Sequence, residues 1–328
     1  MANREKLVII GKSPRFLEAL SAARKAAESG VKTILLTGET GTGKEIFARF
    51  IHEKSARANG PFIPVDCSTI PESLLEAELF GFVKGAFTGA VKSRKGLVGL
   101  ADKGTLLIDE ISNMPLNVQN KLLRFLETRR YRPIGAAEER EVDVRVIAAT
   151  NVKLETLVRK GKFRKDLYYR LSLINIYIPP LREREDDVIL LAQFFLKKFI
   201  KEYNIKEKKF TPDALEKLRH HSWPGNVREL RNIVESAALM SHGTLITSSD
   251  IHIKPTFIRD TITSRQTSEE RDKIVLQFDV KEFNMENIER AVIIEALKFT
   301  NWNKKRAADM LGISRMNLLR KIKKYGIE

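Results

Sequence analysis

The chain has 328 residues, 43% hydrophobic, 30% charged and 8% aromatic, a composition that excludes disordered and fibrous classes and, with that length, suits about two folded domains. Its one cysteine, Cys67, excludes an internal disulfide and a cysteine-built zinc site and fits a reducing cytoplasm. No run approaches the ~20 apolar residues that span a bilayer, the N-terminus lacks a signal-peptide pattern, and a net charge of +16 favours an anionic partner such as nucleic acid.

Residues 7–180 alternate short apolar or β-branched runs with longer helical patterns, which predicts an α/β domain on a parallel sheet. The predicted strands cover 33–36, 62–65, 105–108 and 144–149. The first runs directly into GETGTGKE at 38–45 and a helix-forming segment, the order that a phosphate cradle requires. Gly38, Gly41 and Gly43 let the backbone adopt positive φ and approach phosphate, while free amides at the helix start and Lys44 supply positive potential. The candidate ATP site is thus Gly38, Glu39, Thr40, Gly41, Thr42, Gly43, Lys44 and Glu45. Glu45 stands where the general motif has Ser or Thr, so the usual hydroxyl ligand to Mg²⁺ is missing, and the loop alone leaves an ordinary glycine turn open.

The strand at 105–108 ends in Asp109 and Glu110, delivering two carboxylates to the sheet edge where ligands gather. Asp109 is placed to hold Mg²⁺ and Glu110 to orient and polarise water; a simple strand cap is the bland alternative. The strand at 144–149 leads to Asn151, which can reach the same water or the γ-phosphate. FRKDLYYRL at 163–171 carries Arg164 and Arg170, six residues apart and therefore expected on different faces of a helix. Such arginines can stabilise transition-state charge from a neighbouring subunit, although a paired surface charge remains the alternative for each. From 186 to 241 the apolar residues recur at helix-face spacing, which predicts a helical lid. WPGNVREL at 223–230 puts Arg228 on a helix after a Pro-Gly turn, within reach of nucleotide.

The polar stretch 254–273 reads as linker, and helical periodicity resumes at about 280. Between 303 and 328 eight Lys and Arg face only Asp309 and Glu328. Within that stretch Ala307, Ala308 and Leu311 form the inner face of one helix, Gly312 makes a turn, and Ser314 caps a second helix held down by Leu318, Leu319 and Ile322. A preceding helix over 286–299, with Ile288, Ala291, Val292, Glu295 and Leu297 near its faces, is apolar enough to pack or dimerise. Lys304, Arg306, Ser314, Arg315, Asn317, Arg320 and Lys321 are the candidate DNA contacts, with Arg315, Asn317, Arg320 and Lys321 turned outward.

Taken with these motifs, ELFGFVKGAFTGA at 78–90, PPLRER at 179–184 and DVRVIAATN at 143–151 make the chain resemble the AAA+ ATPases that activate sigma-54 RNA polymerase, across nearly its whole length. Composition alone shows GAFTGA at 85–90 only as a flexible loop bearing Phe87 and Thr88. The resemblance implies that Gly85, Ala86, Phe87, Thr88, Gly89 and Ala90 contact the sigma factor. It also implies trans-acting roles for Arg164 and Arg170, sensor roles for Asn151 and Arg228, and a Fis-type helix-turn-helix at the end; Glu45 is ordinary in this family. Phe82 and Val83 depart from the family's usual His and Glu. Asp66 replaces an Asn that switches the catalytic Glu, here Glu110, and two carboxylates cannot make that bond unless one is protonated or a cation intervenes.

The expected architecture is an AAA+ P-loop domain at 1–253, with its α/β part at 7–180 and lid at 181–253, a linker at 254–279, and an all-α helix-turn-helix domain at 280–328. The expected function is an ATP-hydrolysing activator, with ATP and Mg²⁺ as cofactors, that binds enhancer-like double-stranded DNA and works on sigma-54 polymerase as a homo-oligomer, a hexameric ring by resemblance, without a membrane. A nucleotide-sensing repressor with vestigial hydrolysis, or a helicase-loading ATPase, are the rival readings. No sensor or receiver pattern precedes Leu7, so the regulatory signal is expected from outside this sequence.

Overall fold

The computed structural model describes residues 8–253, 285–300 and 302–327; the expected linker at 254–279 lies outside them. The chain divides into two compact units, separated between residues 257 and 258. No helix among the described residues is long and apolar enough to cross a membrane.

The first unit is built on five parallel strands, β1 (Thr33–Thr37), β2 (Phe62–Asp66), β3 (Thr105–Asp109), β4 (Arg145–Thr150) and β5 (Asn175–Tyr177), in the order β2-β3-β4-β1-β5. Alternate residues of a strand point to opposite faces, and two cores follow from that. Leu35, Leu106, Ile108, Val146 and Ala148 face one side. There they meet α3 (Glu72–Phe80) and α4 (Leu116–Thr128) through Leu75, Leu79, Leu122 and Phe125. Ile34, Leu36, Leu107, Ile147 and Ala149 face the other side, against Phe16, Ala23, Phe47 and Ile51 of α1 (Pro14–Glu28) and α2 (Lys44–Glu53). Strands buried on both faces read as continuous apolar runs, which is why β1, β3 and β4 are visible in the sequence; the edge strand β2, with Pro64 exposed, shows through Phe62, Ile63 and Val65. β5 has only three residues, with exposed Asn175 and Tyr177, and offers no such run. Cys67 is buried after β2, its thiol pushed up to about 12 by burial first and by the nearby carboxylates.

The lid comprises α6 (Asp187–Glu202), α7 (Pro212–His220) and α8 (Asn226–Met240), following the short helix α5 (Lys165–Leu171) of the α/β part. Its core gathers Val188, Leu191, Leu196, Phe199, Leu218, Trp223, Leu230 and Val234, and the Trp223 indole Nε1 donates to the Leu218 carbonyl at 2.9 Å. Leu190, Phe194 and Leu215 are half-buried at the margins of this core.

A buried ion pair joins lid and α/β part. Arg184 and Asp187, 2% and 1% exposed, meet at 3.1 Å. The Asp187 carboxylate also accepts from the Lys12 and Ser13 amides at 2.6 and 3.2 Å, while Arg184 Nη2 donates to the Ile10 carbonyl at 2.9 Å. The guanidinium carbon lies 3.8 Å from the Phe16 ring centroid. Removing one partner strands a buried charge, so Asp187→Ala is expected to lower unfolding free energy by about 3–5 kcal/mol in urea denaturation; a loss below about 1 kcal/mol would contradict this account.

The second unit contains α9 (Met285–Phe299), α10 (Lys304–Met310) and α11 (Arg315–Tyr325). Ile293, Ala296, Leu297, Ala307, Ala308 and Leu318 form its core. Asn303 caps α10 through the Lys305 and Arg306 amides, Ser314 caps α11 through the Asn317 amide, and Gly312 turns between them at φ +66°. The interior face of α9 is Ile293, Ala296 and Leu297, so Ile288, Ala291 and Val292 are left half-buried.

Candidate functional site

The chemistry-bearing residues collect at the carboxyl ends of the strands. Register pairs Thr37 of β1 with Thr150 of β4, and Asp66 of β2 with Asp109 of β3. The glycine loop, Asp109–Glu110 and Asn151 therefore leave the sheet at one edge, where the first turn of α2 also begins.

Gly41 and Gly43 have φ of +80° and +100°, a region costly to any side-chain-bearing residue. Lys44 opens α2 and is only 6% exposed. Its Nζ donates to the Gly38 and Glu39 carbonyls at 3.0 and 3.3 Å and lies 3.8 Å from the Glu110 carboxylate. Burial holds the Lys44 ammonium below its ordinary pKa, against the pull of Glu110 and Asp109. A buried cation with no carboxylate in tight contact is a donor set suited to an incoming anion.

Glu110 itself sits at φ +47°, ψ +48°. This left-handed conformation is unusual for a glutamate and carries local backbone strain that the surrounding contacts must sustain. Burial raises its pKa above the ordinary carboxylate range and Asp109 and Asp66 add to the rise, whereas Lys44 opposes it. Asp109 Oδ1 accepts from the Glu110 amide at 2.9 Å. Asn151 Nδ2 donates to Thr40 Oγ1 at 2.8 Å, tying β4's end to the loop, and Thr42 Oγ1 donates to the Glu39 carbonyl at 2.8 Å. Arg228 is exposed beside the loop, with its Cβ near Gly41.

Several expected residues make their own bonds outside this cluster. Glu45 is half-exposed and paired with Arg49 at 2.8 Å, one turn along α2. Asp66 accepts from the Ser68 amide and hydroxyl at 2.8 and 2.6 Å instead of bonding Glu110. Arg164 is the residue before α5 rather than within it, and it pairs with Asp166 at 2.6 Å; the expectation of two helix faces overlooks that the helix starts one residue later. Arg170 lies in α5 and donates to the Leu126 carbonyl at 3.1 Å.

The GAFTGA segment is the tip of a hairpin in which Gly81 and Phe82 pair with Lys95 and Arg94. The Gly85 amide donates to the Ala90 carbonyl at 2.9 Å, and Gly85 and Gly89 have φ of +81° and +99°. Thr88 is exposed; Phe87 is 44% exposed, its ring 5.0 Å from that of Phe82. Val83 donates its amide to the Ile134 carbonyl at 3.1 Å. Gly135, which carries no signal in the sequence, lets the loop base close: a Cβ there would lie 2.8 Å from that of Ala86.

In the second unit Lys304, Arg306, Arg315 and Arg320 are exposed and Asn317 is half-buried, receiving a hydrogen bond from Arg320 at 3.3 Å. Lys321 corrects the outward reading of α11. It is bonded to Glu289 of α9 and only 25% exposed, because an unforeseen acid on the packing helix takes its charge.

Among the described residues no three His, Cys, Asp or Glu side chains converge as a metal cage. Mg²⁺ needs none when phosphate oxygens and water complete its shell beside one carboxylate, and Asp109 at the strand end has the chemistry for that single role.

Parallel strands, a glycine loop and a helical lid define an AAA+ P-loop ATPase fold, and the second unit is a helix-turn-helix. Residues 9–177 match the family model for the sigma-54 interaction domain, 182–270 that for the AAA+ ATPase lid domain, and 284–325 the Fis family of bacterial regulatory proteins. The chain belongs to the sigma-54-dependent transcriptional regulators. It is 45% identical to the regulatory protein AtoC of Escherichia coli over 98% of its own length and 68% of AtoC's. Against ZraR of the same organism the values are 42%, 96% and 68%. It covers only 50% of a third relative, the putative uric acid regulator UacR. NtrX from Brucella abortus, solved in complex with ATP, is similar at 32% identity and a TM-score of 0.70, over 99% of this chain and 70% of NtrX.

Proposed function

We propose that this regulator hydrolyses ATP and uses the cycle to drive its GAFTGA loop against sigma-54 polymerase, while the helix-turn-helix holds it on enhancer-like DNA in the cytoplasm. The carrying observation is the gathering of Lys44, Asp109, Glu110 and Asn151 around one glycine loop. The ATP-bound relative supports nucleotide as the occupant. In this reading the loop amides and Lys44 bind the β- and γ-phosphates. Glu110 accepts the proton of a water held by Asn151 as that water's oxygen bonds the γ-phosphorus; the bond from phosphorus to the bridging oxygen breaks, leaving ADP and phosphate. Its pKa, raised by burial, makes it a stronger base than an exposed glutamate. Mg²⁺, held by Asp109 when bound, would neutralise charge on the phosphate oxygens. Arg228 reaches the phosphates from the lid. Arg164 and Arg170, with no bond to this cluster in their own protomer, are assigned to a neighbour's site in a ring, hexameric by analogy with the family.

The test is ATP-dependent isomerisation of a sigma-54 polymerase promoter complex. Thr88→Ala, on an exposed tip far in sequence from Lys44, is expected to keep ATP hydrolysis within about twofold, as surface changes do, and to abolish isomerisation. Unchanged isomerisation in that variant would refute the loop assignment. A DNA-binding regulator with vestigial hydrolysis is the second reading, favoured only by the carboxylate of Asp66 close to Glu110; DNA binding without phosphate release would select it.

For the DNA face, Arg315→Ala should weaken specific binding by about 1–3 kcal/mol and relax preference at one base position. Binding titrations on cognate and scrambled sites check this, and an equal loss on both would reassign Arg315 to a phosphate.

A further inference from the structure

The lid is tied to the glycine loop by a set of bonds that neither the phosphate cradle nor the sensor arginine accounts for. Asn226, the first residue of α8, is fully buried and has φ +53°, an unusual conformation for a non-glycine residue that tertiary contacts must sustain. Both ends of its amide are used. Oδ1 accepts from the Leu181 amide at 2.7 Å; Nδ2 donates to Glu39 Oε2 at 3.1 Å and to the Thr40 carbonyl at 3.0 Å. The next amide, of Val227, donates to the Gly41 carbonyl at 3.0 Å. Three consecutive loop residues, 39 to 41, are thereby held by two consecutive lid residues.

Glu39 carries a second tie, a two-pronged pair with Arg182 Nη1 and Nη2 at 2.8 and 2.6 Å. Arg182 lies in the short turn Leu181–Glu183 through which the chain enters the lid. The contact is also tight: a Cβ on Gly41 would lie 2.3 Å from the Gly225 carbonyl. Loop and lid start cannot move independently without breaking this set.

We propose that Asn226, with Glu39 and Arg182, is a positioning device that transmits the nucleotide state of the glycine loop to helix α8 and so sets the reach of Arg228, two residues further on. It rests on the reading that the loop binds ATP. The amide group is essential to the device because one side chain must accept from Leu181 and donate to the loop. An aspartate of the same shape accepts but cannot donate, and it sets a second carboxylate against Glu39.

Amide hydrogen exchange over residues 227–231, with and without ATP in a hydrolysis-blocked Glu110→Gln background, reads the linkage directly. In the Asn226-containing protein ATP is expected to slow exchange there about tenfold, within the usual range of site-to-site coupling. Asn226→Asp should reduce that response to below about twofold, and Glu39→Gln, which keeps an acceptor for Asn226 but loses the Arg182 pair, should give an intermediate value. A melting curve separates misfolding from uncoupling, and Glu39→Gln, at a half-exposed position, serves if Asn226→Asp does not fold. A fluorescent ATP analogue establishes occupancy in each protein. Occupancy with no exchange response in the Asn226-containing protein, or an undiminished response in a folded variant, overturns this inference alone. Failure of that parent to bind the analogue overturns the ATP reading and this one with it.

Discussion

Glu110→Gln is expected to bind ATP with near-parental affinity and to hydrolyse it about 10²–10⁴-fold more slowly, the usual contribution of a positioned base. The amide preserves size and can still orient water, but it cannot take the proton. Because burial and the neighbouring carboxylates raise the Glu110 pKa, more of the group is protonated at mildly acidic pH than of an exposed glutamate. The unprotonated form is the working one, so kcat should fall as pH drops through a midpoint above the ordinary carboxylate range. Steady-state ATPase rates across pH, with tryptophan-quench or analogue binding in parallel, check both parts. A Glu110→Gln protein retaining more than about a tenth of the parental rate, well outside that 10²–10⁴-fold loss, would remove Glu110 as base.

Arg170→Ala should reduce kcat by about 10³–10⁵-fold if its guanidinium completes a neighbour's site. Its Nη2 bond to the Leu126 carbonyl is a single part-buried contact of an otherwise exposed side chain, so the folded subunit should survive. The discriminating measurement is mixing. Inactive Arg170→Ala and inactive Lys44→Ala subunits combined in one ring place some intact loops opposite intact arginines, and activity should reappear. Continued silence of the mixture, in rings shown to be mixed, would assign Arg170 to its own protomer. The same mixing with Arg164→Ala tests whether the pair with Asp166 is given up on assembly.

Local order makes much of this molecule legible in its sequence. A buried strand, a glycine loop and a helix are contiguous, so the order of residues alone places the glycine loop and Lys44 at the sheet edge; the same holds for the position of Asp109 and Glu110 at the end of an apolar run. Ser314 and Gly312 are equally readable because caps and turns act over a few residues. What escapes depends on distant partners. Asn226 looks like a turn residue until Glu39, 187 positions away, comes beside it. Lys321 looks like a DNA contact until Glu289 of α9 claims it. Arg145 reads as a polar interruption of β4, yet it is buried because Val31 and Ala27 offer carbonyls to its guanidinium. Gly135 escapes because only the packing of Ala86 upon it reveals a requirement for no side chain.

The Arg184–Asp187 pair has a thermodynamic consequence for how the first unit comes apart. Peeling the lid from the sheet would strip this pair of its bonds to the Lys12 and Ser13 amides and the Ile10 carbonyl, part the guanidinium from the Phe16 ring, and release the chain at Ile10 to Ser13. A partly opened species of that kind carries a large penalty, so heat should melt sheet and lid as a single cooperative block, with calorimetric and van't Hoff enthalpies in agreement over that transition.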